Sequence, residues 1–467
     1  MSNRDARRIG ALAVLACATA AAAQVVLYTV EVGDNPNALA VDTIDQTVYV
    51  SCEGSDSVYV LDATADSPEE FVVARLPVGD FPVDAVWNPA DNTMWVVNKE
   101  TNAPAGSVTA IDCSSNSIVT TVEVGANPTK AVWASVQNKL YTLEHQTVTV
   151  IDCVGDTVVG TIGIPDLEWG YTDMVYNPLM ERLYLTARKL QEGEGRLHVV
   201  DCTTDSIVRT VGLAYGPVKI AYAPSVNRVF VACNEQDTMN VIDCAADSVV
   251  AWLPIRRDPT AVMWSTTPVN RVWVACGRGR AVHYMRADLL QVEGLVETPR
   301  RNPGALLYNP QTTKVYATCE QTHELLVFNA RIPGLIDTVR LSPASYGPYA
   351  LALYSPMNRI FVTNYWDRDP GTVTVLQDVP GIQEPTGRQP LLPSRAVPNP
   401  VGACGRVKLQ VSGFEPSRAT LVDATGRTAS SGGLARDGAM TAPEQPGVYF
   451  YVITDGQQTA SGRFVIR

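Results

Sequence analysis

The chain is poor in histidine and in basic residues. Among 467 residues there are only 4 histidines, and the 36 lysines and arginines are outnumbered by 48 aspartates and glutamates. A protein that binds nucleic acid through its phosphates needs a basic surface, so a formal net charge of -12 argues against such a partner. The shortage of histidine likewise argues against a copper or haem site built from several histidine ligands.

Long apolar runs and catalytic signatures are also missing. After the N-terminal segment no stretch reaches the roughly 20 apolar residues that span a bilayer. Amphipathic runs of helical period are absent, which excludes a helical solenoid. The chain contains no Gly-x-Ser-x-Gly, no His-Glu-x-x-His and no Cys-x-x-Cys, so signals for common hydrolases and structural zinc sites are lacking. With 46% hydrophobic and 18% charged residues, the composition still predicts a folded protein.

The N-terminus indicates an exported protein. A basic start precedes a short apolar stretch over residues 9–16, and the alanines 21–23 offer a small-residue cleavage site. We therefore expect residues 1–23 to be a signal peptide and the mature chain to be extracellular or on the outer cell surface. Cys17 leaves a lipoprotein as the alternative.

An aromatic position recurs along the chain at intervals of 42 to 46 residues. Its members are Val41, Trp87, Trp133, Tyr176, Tyr222, Trp264, Tyr308 and Tyr354. A second such position follows in every repeat, at Tyr49, Trp95, Tyr141, Tyr184, Phe230, Trp273, Tyr316 and Phe361. Each repeat holds four short segments of β-branched or aromatic residues, bounded by glycine, proline, asparagine or aspartate. Four strands at this period are typical of a propeller blade.

The two ends of the repeat region complement each other. Residues 25–32 match the fourth strand of a repeat, whereas the eighth repeat ends at residues 373–376, which match the third. We predict that the first segment completes the last blade, because ring closure removes an exposed sheet edge. The expected fold is all-β, an eight-bladed β-propeller over residues 24–377, with seven blades if one repeat is displaced.

The second strands of the repeats carry a recognisable motif. Residues 47–51, 228–232 and 359–364 read Thr-Val-Tyr-Val-Ser, Arg-Val-Phe-Val-Ala and Arg-Ile-Phe-Val-Thr-Asn, and a Val-Gly-x-x-Pro turn precedes the first at residues 32–36. In these features the region from about residue 25 to 377 resembles the YVTN-family propeller repeat. That family is described mostly as surface or binding proteins without a common ligand, so the resemblance implies a fold and a non-catalytic binding or scaffold function.

The C-terminal part has a different character. Residues 378–394 contain 4 prolines and predict a stiff linker. The motifs that follow lie at residues 398–400, 421–427, 447–454 and 462–467. With them, residues 395–467 resemble a C-terminal sorting domain of the type IX secretion system, or the related FlgD-like sandwich. This resemblance implies a small Ig-like β-sandwich and the type IX secretion machinery as a partner.

Aspartate-cysteine turns repeat after the third strands. They occupy residues 112–116, 152–156, 201–205 and 243–247. Paired carboxylates raise the alternative of a Ca²⁺ site, but two fall short of the six or more oxygens that Ca²⁺ takes, so we expect ordinary turns and no cofactor. Cysteines in equivalent positions of neighbouring blades lie too far apart for disulfides, and we predict buried free thiols.

One face of the predicted disc carries the most varied loops. Strand direction alternates, so loops between the second and third strands share a face with loops between blades. The candidate binding residues on this loop face are Phe81, Trp169, Tyr171, Tyr215, Tyr346, Tyr365, Trp366, Glu53, Glu144, Glu235 and Glu320. Aromatic side chains beside charged groups suit a protein, peptide or saccharide ligand. His198 and His283 share one third-strand position, which we expect to be solvated.

These patterns predict an exported, monomeric, non-catalytic propeller that presents its loop face to a partner. Two alternatives remain open. A lactonase-like or metal-dependent propeller hydrolase would recruit Glu53, Glu144, Glu235 and Glu320, which lie near equivalent positions of different repeats. A structural surface-layer component would instead assemble with itself.

Overall fold

The computed structural model describes residues 24–100, 103–163, 168–266, 268–341, 347–366 and 370–379, and shorter stretches between 394 and 466. The chain divides into two units, Gln24–Val379 and a second one made of Met1–Ala23 and Pro380–Arg467. The predicted signal peptide, Tyr346 and most of the predicted linker lie outside the described residues.

Gln24–Val379 forms eight antiparallel sheets of four strands each. Blade 1 consists of Pro36–Asp42, Thr47–Cys52, Ser57–Asp62 and Val72–Pro77, and blade 2 of Pro82–Asn88, Thr93–Asn98, Gly106–Asp112 and Ser117–Val124. Blade 3 consists of Lys130–Ala134, Lys139–Leu143, Thr147–Asp152 and Thr157–Gly163, and blade 4 of Trp169–Asn177, Arg182–Lys189, Gly195–Asp201 and Ser206–Leu213. Blade 5 consists of Pro217–Ala223, Arg228–Cys233, Thr238–Asp243 and Ser248–Pro254, and blade 6 of Pro259–Ser265, Arg271–Cys276, Ala281–Arg286 and Gly294–Glu297. Blade 7 consists of Leu306–Asn309, Lys314–Cys319, Glu324–Asn329 and Gly334–Arg340, and blade 8 of Pro348–Tyr354, Arg359–Asn364, Gly371–Gln377 and Val25–Val32.

Helical structure is confined to short turns in the described part of the chain. It comprises the α-helix Pro68–Phe71 and the 3₁₀ turns Glu53–Ser55, Pro224–Val226, Glu320–Thr322 and Ser355–Met357. Among the described residues there is no helix with the length and apolar character needed to cross a membrane.

The blades close into a ring. The first strand of each blade contacts the first strand of the next, and the series includes the step from blade 8 back to blade 1. In blade 8 the N-terminal strand pairs antiparallel with the third strand, with Val25 opposite Gln377 and Val32 opposite Gly371. The prediction of eight blades closed by the N-terminal strand is therefore confirmed, and the seven-bladed alternative is excluded.

The core lies between neighbouring blades. The second aromatic position of every repeat is at most 1% exposed, from Tyr49 in blade 1 to Phe361 in blade 8. Fully burying such a side chain contributes about 1.5–3 kcal/mol, so these eight positions supply much of the interblade stability. The fourth strands form the outer rim, where alternate side chains such as Val119 and Val159 are exposed.

A basic residue at the start of most second strands joins its blade to the next one. In the following blade, the residues just after the third strand accept hydrogen bonds from Lys139, Arg182, Arg228, Arg271, Lys314 and Arg359. Lys139 Nζ, for example, lies 2.6 Å from Asp205 Oδ2, and the Tyr141 hydroxyl donates to the other oxygen of that carboxylate at 2.6 Å. The contact between blades 3 and 4 thus combines an ion pair with a tyrosine hydrogen bond.

The same arrangement holds both ends of the propeller chain. Lys314 Nζ of blade 7 lies 2.9 Å from Asp378 Oδ1 and 2.6 Å from the Val379 carbonyl oxygen. The Gln24 side-chain amide donates through its nitrogen to the Tyr316 hydroxyl at 3.2 Å and to Asp378 Oδ1 at 3.1 Å. Asp378 and Val379 are buried, so they belong to the propeller and not to the linker, which we had predicted to begin at residue 378. They are held because they follow the third strand of blade 8, at the position where the other blades carry the turn to their fourth strand.

The aspartate-cysteine turns bond their own backbone, as predicted. Asp112 Oδ1 accepts from the Ser114 N–H at 2.8 Å, and Asn116 closes the turn with a positive φ of 50°. The cysteines of residues 24–379 are all free and buried, which confirms the prediction of buried free thiols. Burial raises the pKa of these thiols to about 12, or about 11 for Cys244.

The C-terminal unit contains two antiparallel sheets. One is formed by Ser394–Val397, Arg406–Val411 and Ala439–Thr441, and the other by Arg418–Val422, Thr428–Gly433, Gly447–Thr454 and Thr459–Ile466. Leu421 and Tyr451, which face each other on neighbouring strands of the second sheet, are buried. The unit is all-β, as expected for a small two-sheet module.

Candidate functional site

Glu144 is not on the loop face, contrary to our prediction. It follows Tyr141 by three residues, a position held in other blades by cysteine, asparagine or alanine, and is 2% exposed. The Thr142 and Thr147 hydroxyls and the Thr149 N–H donate to its carboxylate at 2.6, 3.0 and 3.0 Å. Burial raises the pKa of Glu144 to about 7. This residue ties the second strand of blade 3 to the third and is unavailable to a ligand.

Trp169 and Tyr171 are likewise buried, at 1% and 7% exposure, so their assignment to the loop face is wrong. They begin the first strand of blade 4 and pack in the core between blades 3 and 4. The guanidinium of Arg196 lies over the Trp169 ring at 3.8 Å, and Tyr171 packs edge-on against His198 at 6.0 Å between ring centroids. These side chains fail as ligand contacts because the first strand of blade 4 starts earlier than in other blades and carries them inward.

The two third-strand histidines are buried rather than solvated. His198 is 4% exposed and His283 is 5% exposed, and burial lowers the pKa of both imidazoles to about 4. His283 Nε2 accepts from the Arg256 N–H at 3.0 Å, and Arg256 lies in the loop that connects blade 5 to blade 6. The His283 side chain thereby anchors the loop between two blades. The alternation of side chains along a strand did not reveal this burial, because both faces of a propeller blade are covered by neighbouring blades.

Charged side chains near the inner edge of the ring also make contacts between blades. Asp84 Oδ2 accepts from the Ala131 N–H at 3.0 Å, and Asp173 Oδ2 accepts from the Ile220 N–H at 3.1 Å. Lys130 Nζ lies 2.5 Å from Asp173 Oδ1. Burial raises the pKa of Asp84 to about 6. These groups satisfy the open edges of the first strands of blades 3 to 5, which gives them a structural role.

Three of the remaining candidates lie at two separate places. Tyr215 and Glu235 adjoin each other, because the Glu235 N–H donates to the Tyr215 carbonyl oxygen at 3.3 Å, whereas Phe81 lies elsewhere on the ring. Tyr215 is 45% exposed between blades 4 and 5, and Phe81 lies between blades 1 and 2. Glu235 lines a cleft of about 260 Å³ together with Asn234, Arg257, Asp258 and Arg278. That cleft mixes two carboxylates with two guanidiniums, so it shows no preference for a ligand of either charge. Tyr346 lies outside the described residues.

The structure brings the other candidates together at the inner rim of the loop face. Tyr365 stacks on Tyr349 with 5.2 Å between ring centroids, and Trp366 packs edge-on against Tyr365 at the same distance. Tyr349 is 48% exposed and Trp366 is 49% exposed. We call these three rings, with Glu53 and Glu320 beside them, the platform. Exposed rings of this size are the side chains that most often anchor ligands at protein surfaces.

Three consecutive blades contribute the polar groups of the platform. The Trp366 indole of blade 8 donates to Glu320 of blade 7, while the Tyr365 hydroxyl donates to Glu53 of blade 1 at 3.2 Å. Burial, followed by the negative charges of Glu320 and Glu53, raises the pKa of the Tyr349 hydroxyl. The negative charges of Glu53 and Glu320 are therefore both felt at the Tyr349 side chain, although the two glutamates are far apart in sequence.

The backbone holds Trp366 in place. Gly347 has a φ of 68°, and a Cβ atom there would lie 2.0 Å from Trp366 Cδ1, so only glycine fits beneath the indole. The Gly347 N–H donates to His323 Nδ1 at 3.1 Å, and its carbonyl accepts from the Tyr365 N–H at 2.9 Å. This close approach presets the orientation of the rings.

Tyr349 and Asn37 were not among the binding residues predicted from the sequence. They occupy the same position, one residue after the proline that begins the first strand, where other repeats have valine, threonine or glycine. Asn37 donates through Nδ2 to Glu53 Oε2 at 3.1 Å, but its Oδ1 atom is buried without a hydrogen-bond partner. A tyrosine at a position otherwise held by small or polar residues was the available signal.

Within the described part of the chain, no basic side chain forms an ion pair with Glu53 or Glu320 of the platform. Glu53 and Glu320 take part in none of the ion pairs found there, in contrast to Glu324 and Glu297, which bind Arg301 and Arg256. Across the same residues, His, Cys, Asp and Glu do not gather in groups of three that could hold a metal ion.

Comparison with known proteins supports the fold. The C-terminal WD40 domain of Sif2 superposes with a TM-score of 0.62 at 9% identity, covering 76% of this chain and 98% of that one. The dihydro-haem d1 dehydrogenase NirN superposes with a TM-score of 0.60 at 12% identity, covering 74% and 75%. Hydrazine synthase of Kuenenia stuttgartiensis reaches a TM-score of 0.49 at 16% identity, covering 74% and 96%.

The propeller is the feature that this chain shares with the WD40 domain of Sif2 and with NirN. No protein-family model and no curated protein sequence matches this chain. At identities this low, a shared propeller carries no information on activity or ligand, because unrelated functions occur on this architecture.

Proposed function

We propose that this chain is an exported, non-catalytic binding protein that holds a protein, peptide or saccharide partner at the platform. The observation that carries the proposal is the cluster of Tyr349, Tyr365 and Trp366, two of which are about half exposed. Large aromatic surface is normally buried in a monomer, and a rigid, exposed cluster beside charged groups is typical of a recognition site.

A non-catalytic role agrees with how the other reactive side chains are used. The eight described cysteines are buried with raised pKa values, and Glu144, His198 and His283 make internal hydrogen bonds. A hydrolytic propeller enzyme would need such groups accessible and converging on one point. Metal analysis of the purified protein tests this part, because stoichiometric bound Ca²⁺ would contradict it.

The platform is tested by binding to arrays of peptides and glycans. Wild-type protein should bind a defined set of array ligands, and Trp366→Ala should weaken each of them at least about tenfold, because a buried aromatic anchor contributes roughly 1.4 kcal/mol or more. Trp252→Ala is the matched control, since Trp252 is 56% exposed on the outer strand of blade 5. Equal losses in the two variants would show that the platform is not the binding site.

We further propose that residues 1–23 direct export and that residues 395–467 act as a type IX sorting domain or surface anchor. The supports are the N-terminal basic-apolar-alanine pattern, the C-terminal motifs and the two-sheet architecture of the C-terminal unit. Cell fractionation combined with intact-mass measurement of the secreted protein tests both segments. A cytoplasmic protein that retains residues 1–23 would contradict the proposal.

A further inference from the structure

We infer that the platform recognises a cationic group, and that its ligand is a peptide or protein segment presenting a lysine or arginine side chain. The inference rests on the proposed binding function and adds the chemistry of the ligand. It is carried by three features of blades 7, 8 and 1: acceptors and carboxylates that find no donor or counter-ion among the described residues, and exposed aromatic faces.

The hydrogen-bonding atoms of the platform that lack a partner among the described residues are oxygen acceptors. Asn37 is 8% exposed and its Oδ1 atom has no partner, although its Nδ2 atom is bonded to Glu53. The hydrogen bonds that Glu53 and Glu320 accept use one oxygen of each carboxylate, and no cation pairs with either group in the described residues. A buried acceptor without a donor costs about 1–3 kcal/mol. A ligand rich in N–H donors would relieve that cost.

The aromatic rings suit the same ligand. A lysine or arginine cation is attracted to the face of an aromatic ring, and its aliphatic stem gains apolar contact with neighbouring rings. Tyr349 and Trp366 present such surface at about half exposure, and both carboxylates act on the Tyr349 ring. Trp169 shows the geometry within this protein, because Arg196 lies over its ring at 3.8 Å.

A neutral saccharide fits the platform less well. Sugar hydroxyls both donate and accept hydrogen bonds, so they would fill some acceptors but would leave the charges of Glu53 and Glu320 uncompensated. An acidic ligand is disfavoured, because it would bring like charge to two carboxylates. A basic segment compensates both charges and supplies donors for Asn37.

Small amides provide the test. The full chain is labelled with 5-fluorotryptophan, the Trp366 resonance is assigned by its loss in Trp366→Phe, and ¹⁹F spectra are recorded during titration. The probes are Nα-acetyl-lysine methylamide and Nα-acetyl-arginine methylamide, compared with Nα-acetyl-norleucine methylamide and chitotriose. We expect the two cations to shift the Trp366 resonance and the two neutral compounds to leave it in place.

Charge variants complete the design. Replacing both acids, Glu53→Gln with Glu320→Gln, should weaken binding of the lysine probe at least tenfold, whereas Glu31→Gln, on the exposed outer strand of blade 8, should leave it unchanged. Binding should also weaken as salt is raised, because the charges are partly exposed. Shifts with chitotriose alone, or with no probe at all, would overturn the cationic ligand. The proposed binding function would still stand if Trp366→Ala abolished array binding.

Discussion

At the scale of single residues, the buried carboxyl of Glu144 makes stability depend on pH. Its pKa is about 7 in the folded protein, raised by burial from the ordinary value of 4.5. The folded state therefore retains a proton that the unfolded chain has released, so the free energy of unfolding falls as pH rises through this window. Glu144→Gln lacks this titration. We expect the variant to gain stability relative to wild type by up to about 3 kcal/mol between pH 5 and 8.

Guanidinium unfolding at pH 5, 6, 7 and 8 measures the effect, and Glu31→Gln serves as the exposed control. Stability curves of wild type and Glu144→Gln that run parallel across this range would contradict the assignment.

Residue roles were only partly predictable from sequence. The turns of Asp112 and its equivalents and the free cysteines follow from local chemistry and spacing, and both were confirmed. Glu144 was grouped with Glu53, Glu235 and Glu320 by approximate position in the repeat, but it occupies the position that other blades give to a buried cysteine, asparagine or alanine. His198 was misplaced because strand alternation separates an inner from an outer face only when one side of a sheet meets water. In a ring of blades both sides meet a neighbour. The platform depends on rings contributed by distant repeats, which no local pattern reveals.

At the scale of elements, the closing strand Val25–Val32 carries the integrity of the ring. It covers the edge of Gly371–Gln377 and buries Val30 and Val32 against blade 1. We expect a chain that begins at Gly33 to unfold at markedly lower temperature and to aggregate, because the third strand of blade 8 is left as an open edge. Calorimetry and light scattering measure the two effects.

A permuted chain gives the control. When Gln24–Val32 is moved to follow Val379 through a short turn, blade 8 becomes continuous like the other seven. This chain should recover wild-type stability, since pairing and not chain order closes the ring. A stable deletion variant, or an unstable permuted one, would refute the role assigned to the strand. The number of blades and the closure of the ring were predictable, because the repeat period and the order of the four strand segments in each repeat can be read directly from the sequence.

At the scale of the whole molecule, the ring conceals its thiols. The eight described cysteines are at most 4% exposed, and their raised pKa values keep them protonated at neutral pH. Only a thiolate reacts readily. We expect these eight groups to resist a disulfide reagent such as DTNB at pH 8 in the native protein and to react in guanidinium. The count of released thionitrobenzoate in the two conditions is the measurement, and fast native reaction of several thiols would contradict the burial.

The closing strand also sets the order of events during folding. Val25–Val32 is the first element of the propeller to be synthesised and its partner Gly371–Gln377 is the last, so the pair can form only after the whole intervening chain has been made. A contact of such sequence separation is slow to form, because loop closure costs entropy before pairing rewards it. Until then the third strand of blade 8 has an open edge and the closing strand has no partner. Closure of the ring therefore requires two segments from opposite ends of the propeller to meet, and until they pair the edge of Gly371–Gln377 remains open to association with other chains.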